Sequence, residues 1–425
     1  MSFQRICTWS RSSSRQTKPQ APSLKPQVPN PKPHVGLLLL FLLAISFTGS
    51  SLGQDLNQEV SDLRGRIRAE FGIRLPPLPV PVNNPQDPEK LRLGEALFFD
   101  PNLSSCGDIA CASCHIPERG FSDGEKISDG CGGATGRRNS NTVYQNAFLS
   151  HLFWDGRVQS LEQQALGPVV DPAEMANSWD NVLKYLRTGV HPVSQKKFPG
   201  SAQFYKKYFE GVFEGEITTS NVVKAIAAFE RTATSFDSPY DRWLRGDDAA
   251  LTEQQKKGAV IFFGRGECSE CHTPPNFTDS DFHNIGVPNA GFEKKEMFPH
   301  NRSICGGIEE DADPGRAEVP FLHTSCSDLG KFKTPTLRNI TLSGPYMHNG
   351  VFPVLEDVMH HYEMLARGII TPMVGELDED VKKTRLGDAR GKMDDIRNVT
   401  EFLKALTGTQ LSSPKRGIAP PSPEE

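Results

Sequence analysis

Apolar residues recur at helical spacing in four stretches of this chain. LRLGEALFF (91–99) and LTEQQKKGAVIFF (251–263) each gather their apolar side chains on one helical face. SNVVKAIAAFERTATSF (220–236) opens on a Ser cap and reads as an amphipathic helix. DDIRNVTEFLKALTG (394–408) reads the same way and stops at Gly408. Period-two alternation, the mark of strands, is short and rare. The pattern therefore predicts a mainly α protein with few short strands. The 33 Pro and 37 Gly add many turns and long ordered loops. The longest such loop is predicted at 284–335, which is rich in Gly, Pro and Asp. PPLPVPVNNPQDP (76–88) reads as an extended lead-in, and the Ser- and Pro-rich residues 409–425 as a mobile tail.

The first 53 residues follow a different pattern. Residues 1–34 hold basic residues and no acid, and GLLLLFLLAISF (36–47) is a short apolar core followed by small residues. That order describes a secretory signal. The apolar run falls short of the roughly 20 residues that span a bilayer. Cleavage near Gly53 is expected, which places the mature chain in the periplasm or outside the cell; an uncleaved anchor is the alternative. It would remove six basic residues and no acid, moving the net charge from −5 to −11. So acidic a protein is a poor partner for nucleic acid, whose phosphates demand Lys and Arg. Such a surface can steer a basic protein partner, although acidic surfaces more often only keep a protein soluble.

Nine cysteines narrow the chemistry: Cys7, Cys106, Cys111, Cys114, Cys131, Cys268, Cys271, Cys305 and Cys326. Four of them lie in CASCH (111–115) and CSECH (268–272). Cys-x-x-Cys-His is the attachment signature of c-type haem. Its spacing lets two thiols on one turn reach the two vinyl groups of a porphyrin, and the next residue, His115 or His272, then falls beneath the iron. The competing reading is a Cys₄ zinc site made from both pairs. With Cys7 lost in the signal, the other four make an even number in an oxidising compartment. They predict the disulfides Cys106–Cys131 and Cys305–Cys326, each flanking one loop; free thiols or a crossed pairing are the alternatives. The second bridge closes 20 intervening residues, and such a closure stabilises by about 3 kcal/mol in the chain-entropy model.

The two haem motifs repeat with their surroundings. GEALFF (94–99) precedes the first and GAVIFF (258–263) the second; FSD (121–123) and FTD (277–279) follow them. The offset of 157 residues between Cys111 and Cys268 implies two cytochrome c-like haem domains related by duplication.

From about residue 87 to 408 the chain resembles the bacterial di-haem cytochrome c peroxidases and their MauG relatives. Beyond the two haem motifs, the resemblance rests on FWDGRVQSLEQQALGPVVDPAEM (153–175) and TPTLRNITLSGPYMHNG (334–350). It implies a peroxidatic haem domain at 54–245 and an electron-transfer haem domain at 246–408. Trp154 matches the tryptophan between the two haems, and Gln164 and Glu174 match the polar pair over the open face of the first. Asn139 and the carbonyls of Ser343 and Pro345 match the ligands of a calcium ion, a hard cation suited to oxygen donors. Independently of the family, heterolysis of peroxide needs one proton moved between its oxygens, and a carboxylate held in the DPAEM turn suits that task.

Two positions point to the MauG-like branch. Many relatives carry a distal His about 16 residues after the first motif His; here that count reaches Cys131, and residues 116–150 contain no His. Cys131 is thus expected either in a disulfide, leaving the first iron open, or as a thiolate ligand. The common peroxidases place a Met 14 residues after the motif His, here His348, to bind the second iron. This chain has Tyr362, a hard anionic ligand that favours oxidised iron, where thioether ligation raises the potential. Met359 and Met364 are the rival ligands, and His360 and His361 are read as surface or packing residues.

The expected activity is reduction of hydrogen peroxide at the first haem, with electrons relayed through the second from a small cytochrome c or a cupredoxin. Oxidation of aromatic side chains on a partner protein and plain electron transfer are the alternative functions.

Overall fold

The computed structural model describes residues 38–74, 76–289, 312–319, 325–381, 386 and 392–409. Nine helices of seven residues or more carry the described part of the fold: α1 (Leu38–Phe71), α2 (Pro88–Phe98), α3 (Trp179–Thr188), α4 (Ser201–Phe213), α5 (Thr219–Glu230), α6 (Pro239–Arg245), α7 (Glu253–Phe262), α8 (Leu355–Ala366) and α9 (Lys392–Lys404). The strands among the described residues are β1 (Phe282–His283) and β2 (Phe332–Lys333), paired antiparallel. The mainly α expectation holds.

Local chemistry explains the helix ends. Asp87 caps α2 by accepting from the amides of Glu89 and Lys90 at 3.0 Å each, and Pro88 fills the first helical position, where no amide is needed. Thr252 and Gln255 form a reciprocal capping box at the start of α7. α5 starts two residues before the expected Ser cap would allow, because Thr218 takes that role by accepting from the amide of Asn221. It also ends at Glu230 rather than 236: the Thr232 hydroxyl bonds back to the Phe229 carbonyl at 2.7 Å, satisfying a terminal acceptor locally. α9 stops at Lys404, and Gly408 lies beyond it beside Ser235 and Asp237.

Two apolar cores follow from two crossed helix pairs. In the first, α2 packs on α5, with Leu93, Leu97 and Phe98 meeting Val222, Ala225 and Ile226. In the second, α7 packs on α9, with Ala259, Ile261 and Phe262 meeting Val399, Phe402 and Leu403. A glycine permits each crossing. A Cβ on Gly94 would lie 1.9 Å from the Ala225 carbonyl oxygen, and a Cβ on Gly258 would lie 1.9 Å from that of Asn398. The duplicated GEALFF and GAVIFF segments are therefore duplicated packing devices.

Helices from both sides of residue 245 contribute to the second core. Val60, Leu63 and Ile67 of α1, with Tyr240 and Trp243 of α6, belong to the second core. Arg68 Nε donates to the Leu244 carbonyl at 2.8 Å, and Arg64 pairs with Asp248. The amphipathic face of α1 thus serves the C-terminal half. α1 also runs through the expected cleavage point, while residues 1–37 lie outside the described residues.

The expected lead-in at 76–88 has no regular structure up to Pro81, then turns at 82–84, where the Asn84 amide donates to the Pro81 carbonyl at 3.0 Å, and ends in α2 at Pro88; Val82 is fully exposed. In the predicted loop 284–335, short 3₁₀ turns form at Arg316–Glu318 and Cys326–Asp328; residues 290–311 and 320–324 are outside the described set. Of the predicted tail, 410–425 is likewise outside it, and Thr409 donates its amide to Asp237 at 2.8 Å. Among the described residues no helix is long and apolar enough to cross a membrane.

Candidate functional site

Each core supports one cavity, and each cavity presents one of the two repeated motifs. The first, about 1230 Å³ of open space, is bordered by Cys114, His115, Trp154, Gln164 and Glu174. The second, about 1550 Å³, is bordered by Cys268, Cys271, His272, Trp154, Met359 and Tyr362. Cys111 sits partly buried against the first core.

The proximal geometry is the same in both halves. His115 Nδ1 lies 3.1 Å from the Phe121 carbonyl oxygen, and His272 Nδ1 lies 3.0 Å from that of Phe277. A carbonyl only accepts, so Nδ1 donates in both rings and Nε2 keeps its lone pair for a metal. Both phenylalanines are fully buried and left-handed, with φ of 59° and 56°. That turn aims the carbonyl back at the ring and explains why FSD and FTD recur after the motifs. Burial depresses both imidazoles below the usual histidine range, favouring the neutral, ligating form.

Haem fits this donor set. Cys111, Cys114, Cys268 and Cys271 are all free thiols, each pair stands beside its histidine, and each motif opens on a large cavity. Burial pushes Cys114 up to about 11 and Cys268 up to about 12. The zinc alternative fails: among the described residues the clusters able to hold a metal are Cys106–Asp108–Cys131 and Cys271–Asp279–His283, and neither joins the two pairs.

The distal residues differ. Glu174 ends a tight turn in which its amide donates to the Asp171 carbonyl at 3.1 Å and the Ala173 amide donates to the Asp171 carboxylate at 2.9 Å. Burial, reinforced by the nearby Asp171 charge, raises Glu174 to about 7. The Cys106–Cys131 disulfide is present, which excludes Cys131 as a thiolate ligand. Its flanks also hold the Glu174 segment from both sides: the Cys131 amide donates to the Glu174 carbonyl at 2.8 Å, and the Ser105 amide donates to the Met175 carbonyl at 2.9 Å. Cys326 is disulfide-bonded too; Cys305 lies outside the described residues.

In the second cavity, Met359 and Tyr362 both reach the wall from one face of α8, whereas Met364 is exposed. Burial raises the Tyr362 phenol strongly, with the two nearby thiols adding to the effect; a metal cation is the kind of group that reverses such a shift. His360 pairs with Glu363 at the surface, and buried His361 lies 2.8 Å from the Ile285 carbonyl oxygen.

A common wall separates the cavities. Trp154, Asn139 and the segment Lys333, Pro335 and Thr336 border both. Trp154 Nε1 donates to the Asn139 carbonyl at 2.9 Å, and the Trp154 carbonyl accepts from the Lys333 amide at 2.8 Å. Arg338 secures the segment with two hydrogen bonds to Asp241, at 2.8 and 2.9 Å. On the other flank, buried Arg138 bonds Asp155, Asp313 and Glu318 at 2.6 to 2.9 Å. Asn139, Ser343 and Pro345 also border the second cavity.

Sequence reasoning missed three wall residues. Lys333 and Arg138 are buried cations at the junction. Glu230 borders the first cavity with Oε2 unpartnered, and burial raises it to about 8. The signal for Glu230 and Arg138 was weak: each is one charge within a run that also suits a solvated face.

Comparisons with known proteins agree with this geometry. The sequence model of the di-haem cytochrome c peroxidase family matches residues 88–249. The chain is 34% identical over 339 residues to cytochrome-c peroxidase IdrP1 of Pseudomonas sp. (strain SCT), covering 77% of this chain and 82% of that protein. It is 36% identical over 306 residues to methylamine utilization protein MauG of Methylorubrum extorquens, covering 72% and 76%. The crystal structure of a MauG-like protein associated with microbial copper homeostasis superposes with a TM-score of 0.63 at 29% identity, covering 79% of this chain and 93% of that one. Duplicated haem motifs, twin cavities and these relatives lead to one conclusion: the chain belongs to the di-haem cytochrome c peroxidase family and is an oxidoreductase of the peroxidase type.

Proposed function

We propose that this protein reduces hydrogen peroxide in the cavity of His115, Gln164 and Glu174, using electrons that arrive through the cavity of His272 and Tyr362. The observation that carries this reading is the placement of Glu174 and Gln164 in the same cavity as His115, with Trp154 in the wall shared with the second site.

Cys111, Cys114 and His115 would hold one haem, and Cys268, Cys271, His272 and Tyr362 the other; when bound, haem supplies the redox chemistry of oxygen–oxygen cleavage. The chain's own residues manage the proton. The Glu174 carboxylate takes a proton from one peroxide oxygen and returns it to the other, and Gln164 orients the molecule by hydrogen bonding. Complete reduction consumes two electrons and two protons and releases two waters. The disulfide keeps Cys131 from filling the space over His115. Trp154 offers an aromatic bridge between the sites. Asn139 with the carbonyls of Ser343 and Pro345 makes the proposed calcium position, although this donor set contains no carboxylate. Export to the periplasm suits covalent haem attachment and the disulfide. The peroxidatic site belongs to the half built on α2 and α5, and the electron-collecting site to the half built on α7 and α9.

Oxidation of aromatic side chains on a partner protein is the second reading. It is favoured by Tyr362 reaching the cavity, beside Met359, at the position where the common peroxidases carry the thioether ligand.

The test is Glu174→Gln in the haem-loaded protein. Both haems should stay attached, by pyridine haemochromogen assay, while peroxide turnover falls by about 10²-fold or more. Unchanged turnover would remove Glu174 from the mechanism.

A further inference from the structure

Lys333 is a buried cation without a matching anion. It lies in β2, is 5% exposed, and borders both cavities. Its Nζ reaches the carbonyl of the next residue, Thr334, at 3.4 Å, and it forms no salt bridge among the described residues. Burial holds it down to about 8, with Asp279 the carboxylate that opposes the effect from a distance. A buried ammonium is costly unless a hydrogen-bonded anion accompanies it.

In the neighbouring wall the other buried cations are neutralised. Arg138 meets three carboxylates, and Arg338 meets Asp241 with two hydrogen bonds. Nor is Lys333 placed loosely. Its amide is bonded to the Trp154 carbonyl, it pairs in register with Phe282, and the carbonyl of Thr334 accepts from Thr278 at 2.7 Å. A rigid backbone thus holds an unneutralised charge at the boundary of two cavities whose expected occupants each bear two carboxylate side chains.

We propose that Lys333 is the positioning residue for haem carboxylates at the junction, pairing its ammonium with porphyrin propionate where the two cavities meet. The inference rests on the haem reading above. Lysine suits the position because its compact charge carries three rotatable donors, able to serve a carboxylate from either cavity. The pairing would seat the cofactor and place a positive charge beside the electron path. A cation there stabilises reduced iron relative to oxidised iron and so raises the potential.

The experiment is Lys333→Met in the haem-loaded protein, read by spectroelectrochemical titration of both haems and by the propionate bending modes in resonance Raman spectra. The expected result is a lower midpoint potential for at least one haem and a shifted propionate mode, with Lys333→Arg restoring the potential toward wild type. Unchanged potentials and unchanged modes in a variant carrying both haems would overturn the proposal. If Lys333→Met fails to accumulate, Lys333→Gln is read by the same two measurements. Failure of the haem reading itself would be separate and visible: the wild-type protein would then carry no thioether-linked haem.

Discussion

The two cavities share a proximal side and differ in almost everything opposite it. In each half a buried, left-handed phenylalanine turns its carbonyl onto Nδ1 of the motif histidine, and a glycine lets the preceding helix cross its partner. Opposite that scaffold, the first cavity has Gln164 and a carboxylic acid raised to about 7, held by a disulfide-pinned turn. The second has a phenol and a thioether on one helix face. The difference teaches that attachment and reactivity are separable. On the proposed reading the duplicated elements would hold the cofactors, while the segments without a counterpart, the 171–175 turn and α8, would set what faces each of them.

Removing the disulfide should break this comparison most severely, because it has no counterpart at the equivalent place in the second half. Cys106→Ser with Cys131→Ser should cost about 3 kcal/mol of stability in denaturant titration. It should also alter the pH profile of peroxide turnover, since the Cys131 amide holds the Glu174 carbonyl. A stability loss with an unchanged profile would show that the bridge staples the loop without placing the acid.

The acid limb of that profile comes next. Glu174 accepts a proton only when ionised, and burial places its transition at about 7. Peroxide turnover should therefore fall by about tenfold for each pH unit below 7, in proportion to the ionised fraction. Glu174→Gln should abolish this limb. A limb that persists would transfer the role to another group, and Glu230, raised to about 8 in the same cavity, is the first to examine.

The crossing glycines test whether the scaffold is truly twinned. Ala raises helix propensity by roughly 0.5–1 kcal/mol over Gly, so propensity alone predicts stabilisation. Here the new Cβ would collide with a main-chain carbonyl, which cannot rotate aside. Gly94→Ala and Gly258→Ala should each cost about 1–3 kcal/mol, as overpacking does. Similar losses in thermal or denaturant unfolding would confirm equivalent crossings; a loss at only one would show that the halves have diverged in their packing too.

How far the sequence foretold this molecule depended on whether residue spacing or spatial convergence carried the signal. The haem motifs, the two cores and the disulfide to Cys131 were legible because each is written as a local pattern. The helix of α1 beyond the apolar run was not among the stretches read from the sequence, and nothing local says which core it joins; Tyr240 and Trp243 meet it there from 170 or more residues away. The end of α5 was misplaced because TATSF continues the apolar rhythm, while the Thr232 side chain closes the helix locally. Lys333 went unnoticed inside FKTPTLRN because a lone lysine beside a phenylalanine ordinarily sits in solvent. Only the folded wall shows it enclosed between two sites.

The finest test of the comparison exchanges the proposed ligand of the second cavity and leaves the first untouched. Tyr362 and Met359 lie three residues apart on α8 and both reach the wall, so Tyr362→Met offers a thioether from the position that now offers a phenol. Thioether ligation favours the reduced metal more than phenolate does. The second midpoint potential should rise, and the first should move little, because Gln164, Glu174 and the His115–Phe121 bond are unchanged. Peroxide turnover with a small cytochrome donor should be altered less than oxidation of a protein substrate, which needs the second site to hold a strongly oxidising equivalent. If the second potential stays fixed, Met359 rather than Tyr362 is the ligand, and Met359→Leu should then produce the spectral change that Tyr362→Met did not.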